Sequence, residues 1–365
     1  MDKLQAISAP FTKGVNFTFW LEFRKADQVD EGMFTRKDFE NVRRLGCDVV
    51  RLPIHFENFC SPEDGYRIHE KILGILDNCV RWATELGMHL ILDFHNNTGS
   101  ESFTSEAVED ILAPVWTQLA ERYRDASEYV IYELMNEPHG IEIPVWNAII
   151  ERIHQLVRTI DRKHYIVVGG ADWNSFRAMK ELPHFRDDKV IYTFHFYDPH
   201  TFTHQGATWC NMERIRNIPF PYVKERMPAL PENPTKLEID RFERYPKEGT
   251  VEAVAEFFDQ YAAFSRERNA PIYCGEFGCF SACADPEERA GWYRIVTTLL
   301  SERGISRTSW DYYGAFGIFR MKPQMFSEHR LPQFPEDLNL PIVEAMGLNT
   351  EFNDQDALTT DILHE

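Results

Sequence analysis

Eight short runs of apolar, largely β-branched and aromatic residues recur along the chain. They are GVNFTFW at 14–20, DVVRLPIHF at 48–56, HLILDFH at 89–95, YVIYELMNE at 129–137, HYIVVGG at 164–170, KVIYTFHFY at 189–197, APIYCGEFG at 270–278 and SRTSWDYYG at 306–314. Both alternating faces of these runs are mainly apolar, the pattern of strands in a parallel sheet covered on two sides. Between them the period becomes helical. Thr35 and Asp38 form a candidate capping box ahead of Phe39, Val42 and Leu45. Ile72, Leu73, Leu76, Val80 and Ala83 make a second stripe that Gly87 ends. Further helices are predicted over 105–124, 142–160, 251–268 and 286–303, and Leu340-Pro341 opens a last one running to Gly347. Eight strand–helix units in series predict an α/β fold, a closed (β/α)8 TIM barrel, as one catalytic domain over 1–365. A doubly wound open sheet is the less economical alternative, and no G-x-G-x-x-G follows the first strand.

One gap breaks the rhythm. The stretch between strands six and seven is far longer than the others, and residues 198–250 are rich in Pro, Arg and aromatics with weak periodicity. They read as an insertion subdomain over the mouth of the barrel, where βα loops carry function. The stretch 349–365 is polar and acidic and reads as a fraying tail.

Composition narrows the function. The chain has 39 Lys plus Arg against 58 Asp plus Glu, a formal charge of −19, so nucleic acid is not an expected partner. No apolar run is long enough to span a bilayer, so no membrane partner is expected either. The seven Cys include no C-x-x-C pair and read as reduced thiols. The N-terminus, MDKLQAISAPFTKG, has no apolar signal region. That predicts a cytoplasmic protein, or a secreted one whose signal has been removed. Asn16-Phe17-Thr18 and Asn96-Asn97-Thr98 match the glycosylation acceptor pattern, a match common by chance. Oligomeric state is not legible.

The chemistry is at the strand ends. Arg51 and His55 lie near the end of strand two, Asp93, His95 and Asn96 at strand three, and Asn136-Glu137-Pro138 at strand four. His195 and Tyr197 end strand six, and Glu276 ends strand seven. In a parallel barrel these ends share one face. Glu137 and Glu276 would face each other across it. Two carboxylates in different environments divide into a proton donor and an ionised partner. Arg51, His95 and Tyr197 are placed to keep Glu276 ionised. This is the layout of a glycosidase. A separation of about 5 Å implies retention through a covalent glycosyl-enzyme, and roughly 6.5–9.5 Å implies inversion.

These residues resemble glycoside hydrolase family 5, of the retaining clan A barrels. The resemblance rests on YELMNEPHG at 132–140 with GEFG at 275–278, and continues through RLP at 51–53, DFHN at 93–96, HFYDP at 195–199 and Trp310. It implies Glu137 as general acid/base and Glu276 as nucleophile, with Asn136 on the sugar 2-hydroxyl. Arg51 and Tyr197 would lie beside the nucleophile. His95 and His195 would line the −1 subsite, His195 also orienting Glu137, and Trp310 would be the aromatic platform. Asn96 stands at the second position of a familiar His-His pair. FTHQGA followed by Trp209 resembles the bacterial endo-β-1,4-glucanases (cellulases) of the family. The implied substrate is a β-1,4-glucan, with β-mannanase or exo-acting β-glucosidase as rivals on the same scaffold, and a non-catalytic glucan-binding barrel as the alternative outside enzymes. No cofactor and no catalytic metal are expected, since the H-x-H that opens metal-dependent barrels is missing from GVNFTFW. Trp82, Trp116, Trp146 and Trp292 read as packing residues. Trp20, Trp173 and Trp209 read as candidate sugar platforms.

Overall fold

The computed structural model describes residues 4–95, 104–320 and 331–352. Eight parallel strands form a closed barrel in chain order: β1 (Lys13–Asn16), β2 (Val49–Ile54), β3 (His89–Phe94), β4 (Val130–Glu133), β5 (Tyr165–Gly169), β6 (Val190–Phe196), β7 (Ile272–Phe277) and β8 (Ser306–Ser309). Each falls on one of the eight apolar runs, so the barrel expectation holds. Closure comes from Gly14 and Val15 of β1 pairing with Thr308 and Ser309 of β8. Gly14 is needed there, because a Cβ would lie 1.9 Å from the Val49 carbonyl oxygen. The crossover helices run where the apolar stripes place them: Arg36–Arg44, Glu70–Glu85, Glu109–Tyr123, Ile143–Ile160, Val251–Arg268, Pro286–Glu302 and the closing Leu340–Ala345. Thr35 and Asp38 do form the capping box of the first. Among the described residues no helix is long and apolar enough to cross a membrane.

The barrel interior is layered. Phe11, Val49, Ile91, Ile131, Val167, Ile191 and Tyr273 form a separate buried apolar cluster. Two residues further along a strand a side chain points the same way. There Arg51, Asp93, Glu133 and Thr193 are fully buried. The interior thus turns from apolar to charged within one repeat of the pleat.

Between β6 and β7 the structure departs from the sequence reading. A helix, Lys236–Glu248, lies inside the stretch without clear periodicity. It fully buries only Glu238 and Tyr245, with Ile239 and Phe242 half-buried on the same face, and its apolar stripe is short and set among charged residues. Its start is fixed instead by a reciprocal Thr235–Glu238 capping box, with the Thr235 N–H donating to Glu238 at 2.7 Å. The earlier part of the same stretch meets the C-terminal face: the Phe280 N–H donates to the Thr203 carbonyl at 2.8 Å, and Trp209 packs edge-on against Phe280.

Candidate active site

A β-bulge aims the first carboxylate. Along β6 and β7, Thr193 pairs with Tyr273 and Phe194 with Cys274, but His195 then pairs with Glu276. The extra residue is Gly275. In a regular strand with Gly275 paired in turn, Glu276 would share the outward parity of Ile272 and Cys274; with Gly275 bulged out of the pairing, Glu276 turns into the barrel. A Cβ on Gly275 would fall 2.9 Å from Thr193 Oγ1 and 3.0 Å from His195 Nε2, so the bulge needs glycine.

Glu276 is buried and accepts from Arg51 Nη1 and Tyr197 Oη, each at 2.8 Å. Arg51 is committed in every direction. Its Nε donates to Glu133 at 2.7 Å, its Nη1 also to Asn16 at 2.9 Å, and its Nη2 to Glu133 and Asn136 at 2.8 Å. Asp93 lies 2.9 Å from the same Nη2. One guanidinium therefore faces three buried carboxylates. The Arg51→Met variant should be destabilised by about 3–5 kcal/mol, the cost of leaving buried charge uncompensated. Urea unfolding checks this, and a variant as stable as the wild type would contradict the network as drawn.

Glu137 approaches from β4. Its φ of 37° is strained for a side-chain-bearing residue. His139 holds the turn, its Nδ1 lying 2.9 Å from the Glu137 carbonyl oxygen. Burial pushes the Glu137 carboxyl above its ordinary range, with His95 and Arg51 opposing more weakly. Glu137 Oε1 lies 2.5 Å from His195 Nδ1, which is 3.5 Å from Glu276 Oε2. One atom from each of Glu137, His195 and Glu276 can be chosen so that all lie within 4.8 Å of one another. Burial lowers His195 to about 4, so its ring is neutral near pH 7. Among the described residues its buried Nε2 finds no partner. We assign the proton to Nδ1, which leaves a lone pair at Nε2 rather than an unpaired donor. Nδ1–H then donates to Oε1 of Glu137, and the other oxygen is free to carry the acidic proton.

The remaining residues line the same mouth. Burial also lowers His95 to about 4. Its Nδ1 lies 2.7 Å from Asp93, and its Nε2 3.5 Å from Asn136 Nδ2. Trp310 lies parallel to the His95 ring at 5.6 Å. Trp209 is half exposed and one ring removed, touching Phe316, which in turn reaches Tyr197. Trp173 is exposed on a left-handed turn and stacks on His139 at 4.5 Å, beside Glu137. Trp20 is a correction. It is 1% exposed and donates Nε1–H to the Asp30 carbonyl, so it packs the core and offers no sugar platform. Trp116, Trp146 and Trp292 are buried as expected, and Trp82 packs on Phe39. Asn96, with the acceptor pattern it begins, lies outside the described residues. Asn16 of the other acceptor pattern is fully buried, its amide donating to the Gly275 and Ser309 carbonyls at 3.1 Å.

Sequence reasoning passes over Glu133, Asn16, Glu22 and Asp311. Glu133 carries the clearest signal in retrospect: a carboxylate inside an otherwise apolar strand, four residues before Glu137. Asp311, which accepts from Thr18 Oγ1 at 2.9 Å, is pushed up to about 8 by burial.

Fold and site together define a barrel glycosidase, with two carboxylates facing each other over the C-terminal mouth. Residues 16–315 match the family described as Cellulase (glycosyl hydrolase family 5), and the chain belongs to that family. Endoglucanase C of Acetivibrio thermocellus is 28% identical over 342 residues, covering 90% of this chain and 97% of its own length. Endoglucanase 3 of Fibrobacter succinogenes is 29% identical over 336 residues, covering 84% of this chain and 50% of its own. The crystal structure of endoglucanase Cel5A from Thermotoga maritima shares the fold at a TM-score of 0.74 and 24% identity, covering 92% of this chain and 96% of that one.

Proposed function

We propose that this protein is a retaining, endo-acting β-1,4-glucanase in which Glu137 is the acid/base and Glu276 the nucleophile. The observation that carries this is the short separation of the two carboxylates. Their nearest oxygens lie within 4.8 Å, which leaves no room for the water that an inverting enzyme places between substrate and base. In the first step Glu137 gives its proton to the glycosidic oxygen as the C–O bond breaks. A Glu276 oxygen attacks the anomeric carbon from the opposite face and forms a glycosyl ester. Glu137, now a carboxylate, takes a proton from water as that water displaces Glu276 and frees the sugar.

The surroundings support each step. Arg51 and Tyr197 fix the Glu276 lone pairs toward the anomeric carbon. Asn136 Oδ1 is occupied by Arg51, which leaves Nδ2 to donate to the sugar 2-hydroxyl. The Trp310 indole offers a flat apolar face to the axial C–H bonds of a β-linked glucosyl ring. Trp173, beside Glu137, lies where the departing chain would leave.

Incubation with carboxymethyl-cellulose and with cellohexaose tests the reading. Release of reducing ends and a mixture of short cello-oligosaccharides is expected. No release, or glucose alone trimmed from one end, would overturn it.

A further inference from the structure

Glu137 stands on a strained turn, and something must hold it there. Its φ is 37°, where side-chain-bearing residues are disfavoured. Such a torsion persists only where the surroundings over-determine it. The angle φ is a rotation about the N–Cα bond, and Cβ turns with it. Relaxation to a negative φ would swing the carboxyl away from His195 Nδ1, its partner at 2.5 Å.

The turn is anchored ahead of Glu137 and behind it. Ahead, the Asn136 N–H donates to the Phe94 carbonyl of β3 at 2.9 Å. Behind, three successive carbonyls are each held by a different group. His139 Nδ1 lies 2.9 Å from the Glu137 carbonyl oxygen. The Trp173 N–H, beyond β5, donates to the Pro138 carbonyl at 3.2 Å. The Thr104 N–H, beyond β3, donates to the His139 carbonyl at 2.8 Å, and Thr104 Oγ1 accepts from the His139 N–H at 3.1 Å. The His139 side chain is buried, and the Trp173 indole stacks on its ring at 4.5 Å with 13° between planes.

Of these anchors, the His139 ring is the one that grips Glu137 itself. Asn136 fixes the peptide on one side of the N–Cα bond and His139 fixes the carbonyl on the other, so together they clamp the rotation. A carbonyl oxygen accepts and never donates, so Nδ1 carries a proton whatever the charge on the ring. The clamp therefore does not depend on the titration of His139.

We propose that His139 is a positioning residue for proton transfer: its Nδ1–H bond to the Glu137 carbonyl clamps the strained torsion and so aims the acid at the glycosidic oxygen. This rests on the reading of Glu137 as the acid. His139 acts through the Glu137 backbone, so its importance follows the leaving group's need for a proton.

Two variants separate the hydrogen bond from the ring. In His139→Asn the amide nitrogen stands where Nδ1 stood and can still donate to the Glu137 carbonyl, but the ring under Trp173 is gone. In His139→Phe the ring remains and the donor is gone. Each is compared with the wild type by its ratio of kcat/KM on cellohexaose to kcat/KM on 2,4-dinitrophenyl β-cellobioside, whose leaving group needs no proton. Any loss of folded protein lowers both values equally and cancels in the ratio. A misaimed acid should cost His139→Phe about 10–100-fold in that ratio. His139→Asn should stay within about threefold of the wild type. A ratio for His139→Phe within about threefold of the wild type overturns the proposal, since a purely structural role would lower both substrates together. A ratio for His139→Asn as low as that of His139→Phe also overturns it, and assigns His139 to packing beneath Trp173. A wild type that cleaves neither substrate refutes the glucanase reading itself, a result distinct from either.

Discussion

Replacing Glu276 by alanine is expected to lower kcat on cellohexaose by on the order of 10⁴–10⁶-fold. Folding should be unaffected or improved. Three buried carboxylates share the Arg51 guanidinium, and removing one relieves their mutual repulsion while Nη1 keeps Asn16. The cavity left on the nucleophile's side admits a small anion. Azide should therefore restore cleavage of an activated aryl β-cellobioside and yield the α-glycosyl azide, with inverted configuration. Full activity in the Glu276→Ala protein would remove Glu276 from the reaction.

The Glu137→Ala variant should separate proton transfer from attack. On cellohexaose, whose leaving group needs a proton, kcat/KM should fall about 10²–10⁴-fold. On 2,4-dinitrophenyl β-cellobioside, which leaves without help, the first step should stay fast. The glycosyl-enzyme should then accumulate, giving a burst of dinitrophenol followed by slow turnover. Azide should relieve the slow step with retained configuration. The pH profile carries the sign. Burial raises the Glu137 carboxyl, so the proton needed for the first step is held above the ordinary carboxylate range and lost as pH rises through the raised value. The alkaline limb of wild-type kcat/KM therefore belongs to Glu137. His195, lowered to about 4, is neutral throughout that limb and cannot be its source. The limb should vanish in Glu137→Ala on the dinitrophenyl substrate; an unchanged limb would reassign the acid.

Much of this was legible because strands buried on both faces advertise themselves. A run such as HLILDFH has few other places to go, and a polar group at its end stands out against it. Glu137 and Glu276 stand out in this way. What was hidden depends on relations between strands. The bulge that turns Glu276 inward is a register shift against β6, which GEFG alone does not reveal. Glu133 and Asn16 matter only because Arg51 reaches both from a third strand. Trp20 read as a loop platform because the sequence does not show that β1 ends at Asn16 and folds the indole back onto Asp30. The helix Lys236–Glu248 is hard to read because its apolar stripe, Ile239, Phe242 and Tyr245, is short, and Pro246 interrupts the helical pattern.

Two carboxylates this close should act by double displacement, and the anomeric form of the first product reports whether they do. Proton NMR during the opening minutes of cellohexaose hydrolysis, before mutarotation, should show the newly formed reducing ends in the β configuration. Newly formed α ends would contradict the account.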